Sequence, residues 1–229
     1  MAIMMFLKIA DSGGRMRVLS AMVLAIFALF LLVKNARADT EQASEVAQAL
    51  GLKPGMVVAE VGAGKGATTV EVAKIVGPSG KVYSTEVDPK LVNAIERAVE
   101  KAGLKNVEVK DVSQTDTGLP ENCCDVIFMR GVYHHFTNPD VMDRGFFRAL
   151  RPGGKLFVFD FWPSWWLAIF RVKGVPPTHH GHGVEPEIVT QEATAAGFTK
   201  TDEVDNSPSS WILHTYRLEF QKPANATAH

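Results

Sequence analysis

The chain has 229 residues, of which 46% are hydrophobic and 21% charged, a composition typical of a globular domain and unlike that of a disordered chain. Five of the 24 basic residues but only one of the 25 acidic residues lie within residues 1–38, so the remainder carries a formal net charge of −5. Because binding to a nucleic-acid backbone needs clustered Lys and Arg, this acidic remainder argues against DNA or RNA as the main partner.

The first segment in chain order is an apolar run, Val18–Val33, which follows two arginines. It is shorter than the roughly 20 residues that span a bilayer, but its length suits the core of a signal peptide. Residues 36–38 then form an A-x-A cleavage pattern. We predict that residues 1–38 are a signal peptide or membrane anchor and that residues 39–229 form the folded domain. A periplasmic, secreted or membrane-anchored protein is expected, with a buried helix of the fold as the remaining alternative.

Helical and strand-like segments alternate along the rest of the chain. The patterns predict helices at residues 41–50, 67–76, 89–102, 139–150 and 186–196. They predict strands at residues 56–61, 81–87, 107–110, 125–129, 155–161, 198–204 and 211–220. This alternation favours an α/β, Rossmann-like, three-layer sandwich with a mostly parallel sheet. No helix separates the last two strands, so we expect them to form an antiparallel hairpin at one edge.

A glycine-rich loop, Gly62-Ala63-Gly64-Lys65-Gly66, joins the first strand to the next helix. Glycines at such a turn let the backbone approach a ligand closely, and the helix N-terminus presents free N–H groups. With Ala67, the loop also fits the dinucleotide pattern G-x-G-x-x-G/A. An NAD-dependent oxidoreductase is therefore one hypothesis for the chain.

Three carboxylates end successive predicted strands. Glu60 ends the first strand, where an ionised carboxylate is costly to bury unless it is paired, for example with the α-ammonium group of a methionine moiety. Glu86 ends the second strand, where it can accept hydrogen bonds from both hydroxyls of a ribose. Asp111 ends the third strand, where it can accept from the amino group of an adenine. All three lie at the carboxyl edge of the sheet, where ligands of such folds bind.

The order of these motifs resembles that of class I S-adenosylmethionine-dependent methyltransferases, in the small-molecule branch that includes ubiquinone/menaquinone C-methyltransferases. The resemblance covers residues 41–220 and rests on the following motifs: Glu60-x-Gly62-x-Gly64-x-Gly66, Glu86-Val87-Asp88, Asp111, Asp125-Val126-Ile127-Phe128, Tyr133-His134-His135-Phe136, Arg151-Pro152-Gly153-Gly154 and Ala196-Gly197-Phe198. It implies a seven-stranded sheet with an antiparallel terminal strand. It also implies S-adenosylmethionine as the cofactor and a small, in our interpretation hydrophobic and lipid-like, molecule as the acceptor.

The resemblance further implies roles for individual residues. Gly62, Gly64 and Gly66 shape the cofactor loop, Glu86 holds the ribose and Asp111 contacts adenine. Our full prediction of cofactor-binding residues is Glu60, Gly62, Gly64, Gly66, Glu86, Asp88, Asp111, Val112 and Arg130. An exported binding protein that keeps the fold without turnover is a further alternative.

Histidines form two groups in the second half of the chain. His134 and His135 follow the fourth strand, near the expected site of methyl transfer, and are our candidates for a general base. His179, His180 and His182 lie in a Pro/Gly-rich loop, but no cysteine or regularly spaced acid accompanies them, so we predict no metal site. The adjacent Cys123 and Cys124 are expected to remain unpaired, since a ring closed between neighbouring residues is strained.

Overall fold

A computed structural model describes residues 43–163, 174–179, 182–206 and 214–225. The chain divides into two compact units, Met1–Ala43 and Ser44–His229, and the second carries the fold that follows. The predicted signal or anchor segment, residues 1–38, lies outside the described residues. Within the described ranges, no helix combines the length and apolar character needed to cross a membrane.

Helices and strands alternate as the sequence predicts, and most of their ends fall within two residues of the predicted ones. The helices are α1 (43–49), α2 (Ala67–Val76), α3 (Pro89–Lys101), α4 (Pro139–Ala149) and α5 (Pro186–Ala195), with 3₁₀ turns at Tyr133–His135 and Pro177–His179. The strands are β1 (Val57–Val61), β2 (Lys81–Glu86), β3 (Val107–Asp111), β4 (Cys124–Arg130), β5 (Leu150–Phe161), β6 (Thr199–Asn206) and β7 (Thr215–Gln221).

The strands form one seven-stranded sheet in the order β3-β2-β1-β4-β5-β7-β6. Strands β1 to β5 are parallel to one another, whereas β7 runs antiparallel to both β5 and β6. The chain order reverses direction across the sheet between β1 and β4, which is the switch point where ligands of open α/β sheets bind. The predicted fold class and the antiparallel terminal hairpin are confirmed.

Side chains on the central strands alternate between two apolar layers. Val58 and Phe128 pack with Val72 of α2 on one face of the sheet. Ala59 and Ile127 pack with Phe146 of α4 on the other face. Because neighbouring residues of a strand point to opposite faces, two covered faces require continuous apolar strands, as the sequence of β4 shows. The sheet with its helices on both faces is the predicted three-layer sandwich.

Local signals set the helix ends that lie near the carboxyl edge of the sheet. The Asp88 carboxylate accepts from Lys90 N at 2.8 Å and caps α3, whose first residue is Pro89. Asn138 caps α4 in the same way, again followed by a proline. These caps fix where the loops after β2 and β4 end, and both loops border the cavity described below.

The two cysteines correct one expectation, because the structure joins Cys123 to Cys124 by a disulfide. Cys123 precedes β4, which begins at Cys124, so its side chain is not held to the alternating directions of a strand. Asn122 immediately before it has a φ of 48°, which turns the chain at this point. The prediction that they remain unpaired was wrong because it considered the strain of the ring without the turn that accommodates it.

Candidate functional site

A cavity of about 370 Å³ opens at the carboxyl edge of the sheet, within the range of about 300–1,000 Å³ that is usual for small-molecule sites. The loops after four strands line it. The lining residues are Val61 and Gly62 at the end of β1, Thr85–Val87 at the end of β2, residues 112–114, 116 and 117 after β3, and residues 132, 135–137 and 142 after β4. The cavity therefore lies where the strand order predicted a ligand site.

The glycines of the predicted loop all have left-handed backbone angles, with φ of 68° at Gly62, 58° at Gly64 and 80° at Gly66. A Cβ atom at Gly62 would lie 2.5 Å from Val132 Cγ2, and one at Gly66 would lie 3.1 Å from Ile95 Cα. A Cβ at Gly64 would meet no atom of the described chain within 4 Å. Two of these glycines are thus needed for packing, whereas Gly64 faces space that a ligand can occupy.

Glu86 is an acid of the cavity wall that accepts three backbone hydrogen bonds. Its Oε2 accepts from the backbone N–H of Gly64 at 2.9 Å, and its Oε1 accepts from those of Val87 at 2.8 Å and Asp88 at 3.4 Å. The side chain thereby ties the glycine loop after β1 to the end of β2. Oε2 has a second lone pair, so the group can still accept a hydroxyl donor from the cavity.

Glu60 lies behind the cavity wall rather than in it. It is 5% exposed, and Thr69 donates its hydroxyl to the Glu60 carboxylate. Burial raises the pKa of Glu60 to about 7, although the hydrogen bond from Thr69 and the positive charge of Arg130 oppose the shift. Protonation can therefore offset the cost of burying this carboxylate. From the sequence, only a cationic ligand was expected to do so.

The remaining predicted cofactor residues fall into two groups. Val112 lines the cavity. Asp111 is exposed at the end of β3 and is not among the lining residues, whereas Asp116, five positions later, is. Asp88 and Arg130 are likewise exposed and outside the lining; the first caps α3, and the second lies near enough to lower the pKa of Glu60. Asp116 was not predicted from the sequence, because an acid within a loop is not marked by its position at the end of a strand.

The two candidate bases lie in the 3₁₀ turn after β4. His135 lines the cavity and is exposed, and partial desolvation, followed by the charge of the neighbouring His134, lowers the pKa of His135. His134 is buried, and its Nδ1 lies 2.8 Å from Oδ1 of Asp160 near the end of β5. Asp160 also accepts from the backbone N–H of His134 at 3.2 Å. The carboxylate thus fixes both the ring and the backbone of His134, a role that sequence analysis did not find, although Asp160 is an acid near a strand end.

Among the described residues, no group of three His, Cys, Asp or Glu side chains could hold an ion. His180 lies outside those residues, and the expectation of no metal site stays a prediction. Trp162, just after β5, stacks on His214 with ring centroids 5.6 Å apart.

Comparison with known proteins identifies the family. Residues 52–207, more than half of the chain, match a family described as "Methyltransferase domain". A solved S-adenosylmethionine-dependent methyltransferase from Aquifex aeolicus is 30% identical, with a TM-score of 0.63, over 79% of this chain and 89% of its own. A geranyl diphosphate methyltransferase solved with S-adenosylmethionine shares the fold, with a TM-score of 0.69 at 14% identity over 84% of this chain and 88% of its own.

Among curated sequences, the ubiquinone/menaquinone biosynthesis C-methyltransferase UbiE of Vibrio vulnificus is 29% identical over 112 residues. That match spans 48% of this chain and 43% of the relative, so the chain covers less than half of the curated protein. The family match, the Aquifex neighbour and the cavity at the switch point agree. The chain belongs to the methyltransferase-domain family.

Proposed function

We propose that the chain transfers a methyl group from S-adenosylmethionine to a small hydrophobic molecule, at the His135 end of the cavity. The observation that carries the proposal is that Glu86 and His135 line one cavity, so a cofactor held at Glu86 lies beside a group that can accept a proton. When bound, S-adenosylmethionine supplies an activated methyl group and leaves as S-adenosylhomocysteine.

The proposed cofactor contacts follow from the cavity wall. Gly64 lets the backbone approach the ligand, because space beside it is open, and Gly62 and Gly66 hold the shape of the loop. Glu86 accepts from a ribose hydroxyl with the free lone pair on Oε2. Glu60, when ionised, attracts the α-ammonium group through the loop. The chemistry of these donors and acceptors suits the cofactor.

For the adenine amino group, we propose Asp116 in addition to the predicted Asp111. Asp116 lines the cavity beside Val112, whose apolar side chain can pack against the purine ring. Parallel replacement by alanine separates the two acids, since only the one that contacts adenine should affect binding. The roles of Asp88 and Arg130 in cofactor binding stay predictions. Neither residue lines the cavity, so we expect indirect effects, from Asp88 through the cap of α3 and from Arg130 through the pKa of Glu60.

His135 is the proposed general base. Because partial desolvation lowers its pKa, the ring is neutral at pH 7 and has a lone pair to accept a proton. His134 and Asp160 lie directly behind it, with the two histidine ring centroids 4.0 Å apart. This pair orients the turn and can disperse positive charge that forms on His135.

The acceptor class follows from the wall and from the relatives. Val132, Phe136 and Met142 make the acceptor side of the cavity largely apolar. The curated relatives are named for C-methylation in quinone biosynthesis. A phenolic or quinol ring fits both facts, since loss of its hydroxyl proton to a base makes the ring oxygen and carbons nucleophilic.

Methyl-labelled S-adenosylmethionine tests the proposal with the full chain. The acceptors are 1,4-naphthoquinol and a 4-alkylphenol, with an alkylamine and a carboxylic acid for comparison. We expect label in the quinol or phenol, lost in Glu86→Ala and reduced in His135→Ala. Transfer to the amine or acid alone would contradict the proposed acceptor. Cofactor binding without transfer to any acceptor would favour a binding protein, and binding of NAD in its place an oxidoreductase.

We also propose that residues 1–38 direct the protein out of the cytoplasm or anchor it to the membrane. Support comes from the apolar run Val18–Val33 and the A-x-A pattern at residues 36–38. A membrane-anchored enzyme would lie close to lipid-soluble acceptors. Cell fractionation and the N-terminal mass of the purified protein test this; a soluble cytoplasmic chain that retains Met1 would contradict it.

A further inference from the structure

Four polar side chains form a buried group beside the cavity and have no part in the proposed transfer: Tyr133, Asp143, His179 and Glu192. We call them the acid–phenol cluster. Tyr133, Asp143 and His179 have no exposed surface, and the Glu192 side chain is 23% exposed. They come from the turn after β4, from α4, from the Pro177–His179 turn and from α5. The cluster therefore joins four elements that are distant in sequence.

The Tyr133 hydroxyl is the centre of the cluster. It lies 2.7 Å from Oδ2 of Asp143 and 3.0 Å from Oε2 of Glu192. His179 Nε2 lies 3.0 Å from the same Glu192 oxygen, and its ring stacks on Tyr133 with centroids 5.6 Å apart. One phenol oxygen thus contacts two carboxyl groups at hydrogen-bonding distance.

A count of protons constrains this arrangement. A phenol has one proton and can donate to only one carboxylate. The second contact is favourable only if the other carboxyl group is itself protonated and donates to the phenol oxygen. His179 Nε2 can donate to Glu192, which favours Glu192 as the ionised member. The consistent chain runs from Asp143 as donor, through Tyr133, to Glu192 as acceptor.

Asp143 is also the carboxyl group of the acid–phenol cluster for which protonation is most favourable. Burial raises the pKa of its carboxyl to about 7, and the negative charges of Glu192 on α5 and Asp140 on its own helix act in the same direction. When Asp143 is ionised, the phenol proton can turn to it, and this hydrogen bond from Tyr133 opposes the rise of the pKa. Oδ1 of Asp143 is buried without a partner among the described residues, which is less costly for a neutral acid than for an anion.

We propose that the acid–phenol cluster positions the acceptor side of the cavity, with Asp143 and Glu192 as positioning residues, and that it does so only while it holds its extra proton. The inference rests on the proposed function, because the wall it controls is the one on which His135 acts. Tyr133 belongs to the same 3₁₀ turn as His135, and its ring packs on Phe136 with centroids 5.1 Å apart.

Two further contacts connect the cluster with the cavity. Phe136 and His135 line the cavity, and so does Met142, the neighbour of Asp143 on α4. When Asp143 loses its proton, two anions face one phenol oxygen, and one of them must withdraw. Either movement shifts the turn or α4, so the acceptor side of the wall loses its fixed position in alkaline solution.

The test is calorimetric titration of the full chain with S-adenosylhomocysteine at pH 6 and pH 8.5. Asp143→Asn keeps a donor toward the phenol at every pH, because its amide N–H replaces the acid proton, and so fixes the positioned state. Tyr133→Phe keeps the stacked ring but removes both contacts, and so fixes the released state. Glu187→Gln, which removes an exposed acid from α5 that does not shift the pKa of Asp143, is the matched control.

We expect wild type and Asp143→Asn to bind equally at pH 6. At pH 8.5 the wild type should bind several-fold more weakly than Asp143→Asn, with a limit of about tenfold per pH unit above the pKa of Asp143. Tyr133→Phe should bind at pH 6 as weakly, relative to Asp143→Asn, as the wild type does at pH 8.5. Glu187→Gln should follow the wild type. Titration of Glu60 affects all variants alike and cancels in these ratios.

Parallel pH profiles for wild type and Asp143→Asn would overturn the positioning role while leaving the proposed cofactor site intact. Absence of binding at pH 6 in both proteins would instead overturn the site and the inference together. Thermal unfolding of each variant shows whether it is folded. If Tyr133→Phe does not fold, the comparison of wild type with Asp143→Asn decides the question alone.

Discussion

Replacement of Glu86 by alanine should abolish most cofactor affinity while the protein stays folded. Glu86 Oε2 accepts one backbone N–H, from Gly64 at 2.9 Å, whereas Oε1 accepts two, from Val87 at 2.8 Å and from Asp88 at 3.4 Å, which leaves one free lone pair, on Oε2, for a ribose hydroxyl. One hydrogen bond to a charged acceptor contributes about 1.5–3 kcal/mol. Its loss corresponds to a decrease in affinity of about 10- to 100-fold.

Calorimetric titration with S-adenosylhomocysteine measures this decrease. Glu108→Gln is the control, because Glu108 lies on neighbouring β3 and pairs with Lys81 and Lys110 away from the cavity. The control should bind as tightly as the wild type. If Glu86→Ala unfolds cooperatively and still binds with wild-type affinity, Glu86 does not hold the ribose and the proposed orientation of the cofactor is wrong.

Three other replacements test the same cavity. Gly64→Val should abolish binding of S-adenosylhomocysteine, because its side chain fills the open space beside the backbone and a β-branched residue is strained at a φ of 58°; thermal unfolding checks that the variant is folded, and unchanged affinity would refute the close approach. Asp116→Ala should weaken binding by about 1.5–3 kcal/mol and Asp111→Ala should not, as measured by the same titration; the reverse result would restore Asp111 as the adenine contact. Burial raises the pKa of Glu60 from 4.5 to about 7, so its contribution to stability is full below pH 4.5 and is lost as the pH rises to about 7. Glu60→Gln should therefore reduce the fall in unfolding free energy between pH 4.5 and 8 by about 3 kcal/mol in denaturant titrations, and an equal fall in both proteins would show that Glu60 titrates normally.

Sequence patterns predicted the parts of the molecule whose causes are local. The Gly62–Gly66 loop, the α2 helix after it and Glu86 at the end of β2 lie close together in the chain and at a predictable edge of the sheet. The antiparallel hairpin of β6 and β7 followed from the lack of a helix between them. Each of these predictions required only the identity of neighbouring residues and the direction of parallel strands.

The features that the sequence did not reveal depend on contacts between distant residues. Asp160 meets His134 across 26 positions, and Glu192 meets Tyr133 across 59. Nothing in the sequence around Asp143 indicates that its carboxyl is buried beside a phenol. The Asp116 loop is another case, since side chains in loops have no period that fixes their direction. Burial and pairing of this kind arise from tertiary packing.

The His134–Asp160 pair leads to a prediction that separates positioning from binding. Asp160 accepts from both the ring and the backbone N–H of His134, so its carboxylate fixes the turn that also carries His135. Asp160→Asn keeps one acceptor oxygen but replaces the other with an amide NH₂ donor. The remaining oxygen cannot accept from both N–H groups at once. We expect kcat for the quinol or phenol acceptor to fall by about 10- to 100-fold, within the range of general-base contributions.

The affinity of Asp160→Asn for S-adenosylhomocysteine should fall by no more than several-fold, the effect expected when the acid–phenol cluster releases the same turn, because Asp160 is not among the residues that line the cavity. Phe161, the next residue, packs against His134 with ring centroids 4.6 Å apart, so Phe161→Leu tests whether loss of packing alone has the same effect. A large loss of kcat in Asp160→Asn but not in Phe161→Leu identifies the carboxylate as the cause. Equal losses in both variants would mean that the turn needs only to be packed, and that the hydrogen bonds of Asp160 do not contribute to transfer.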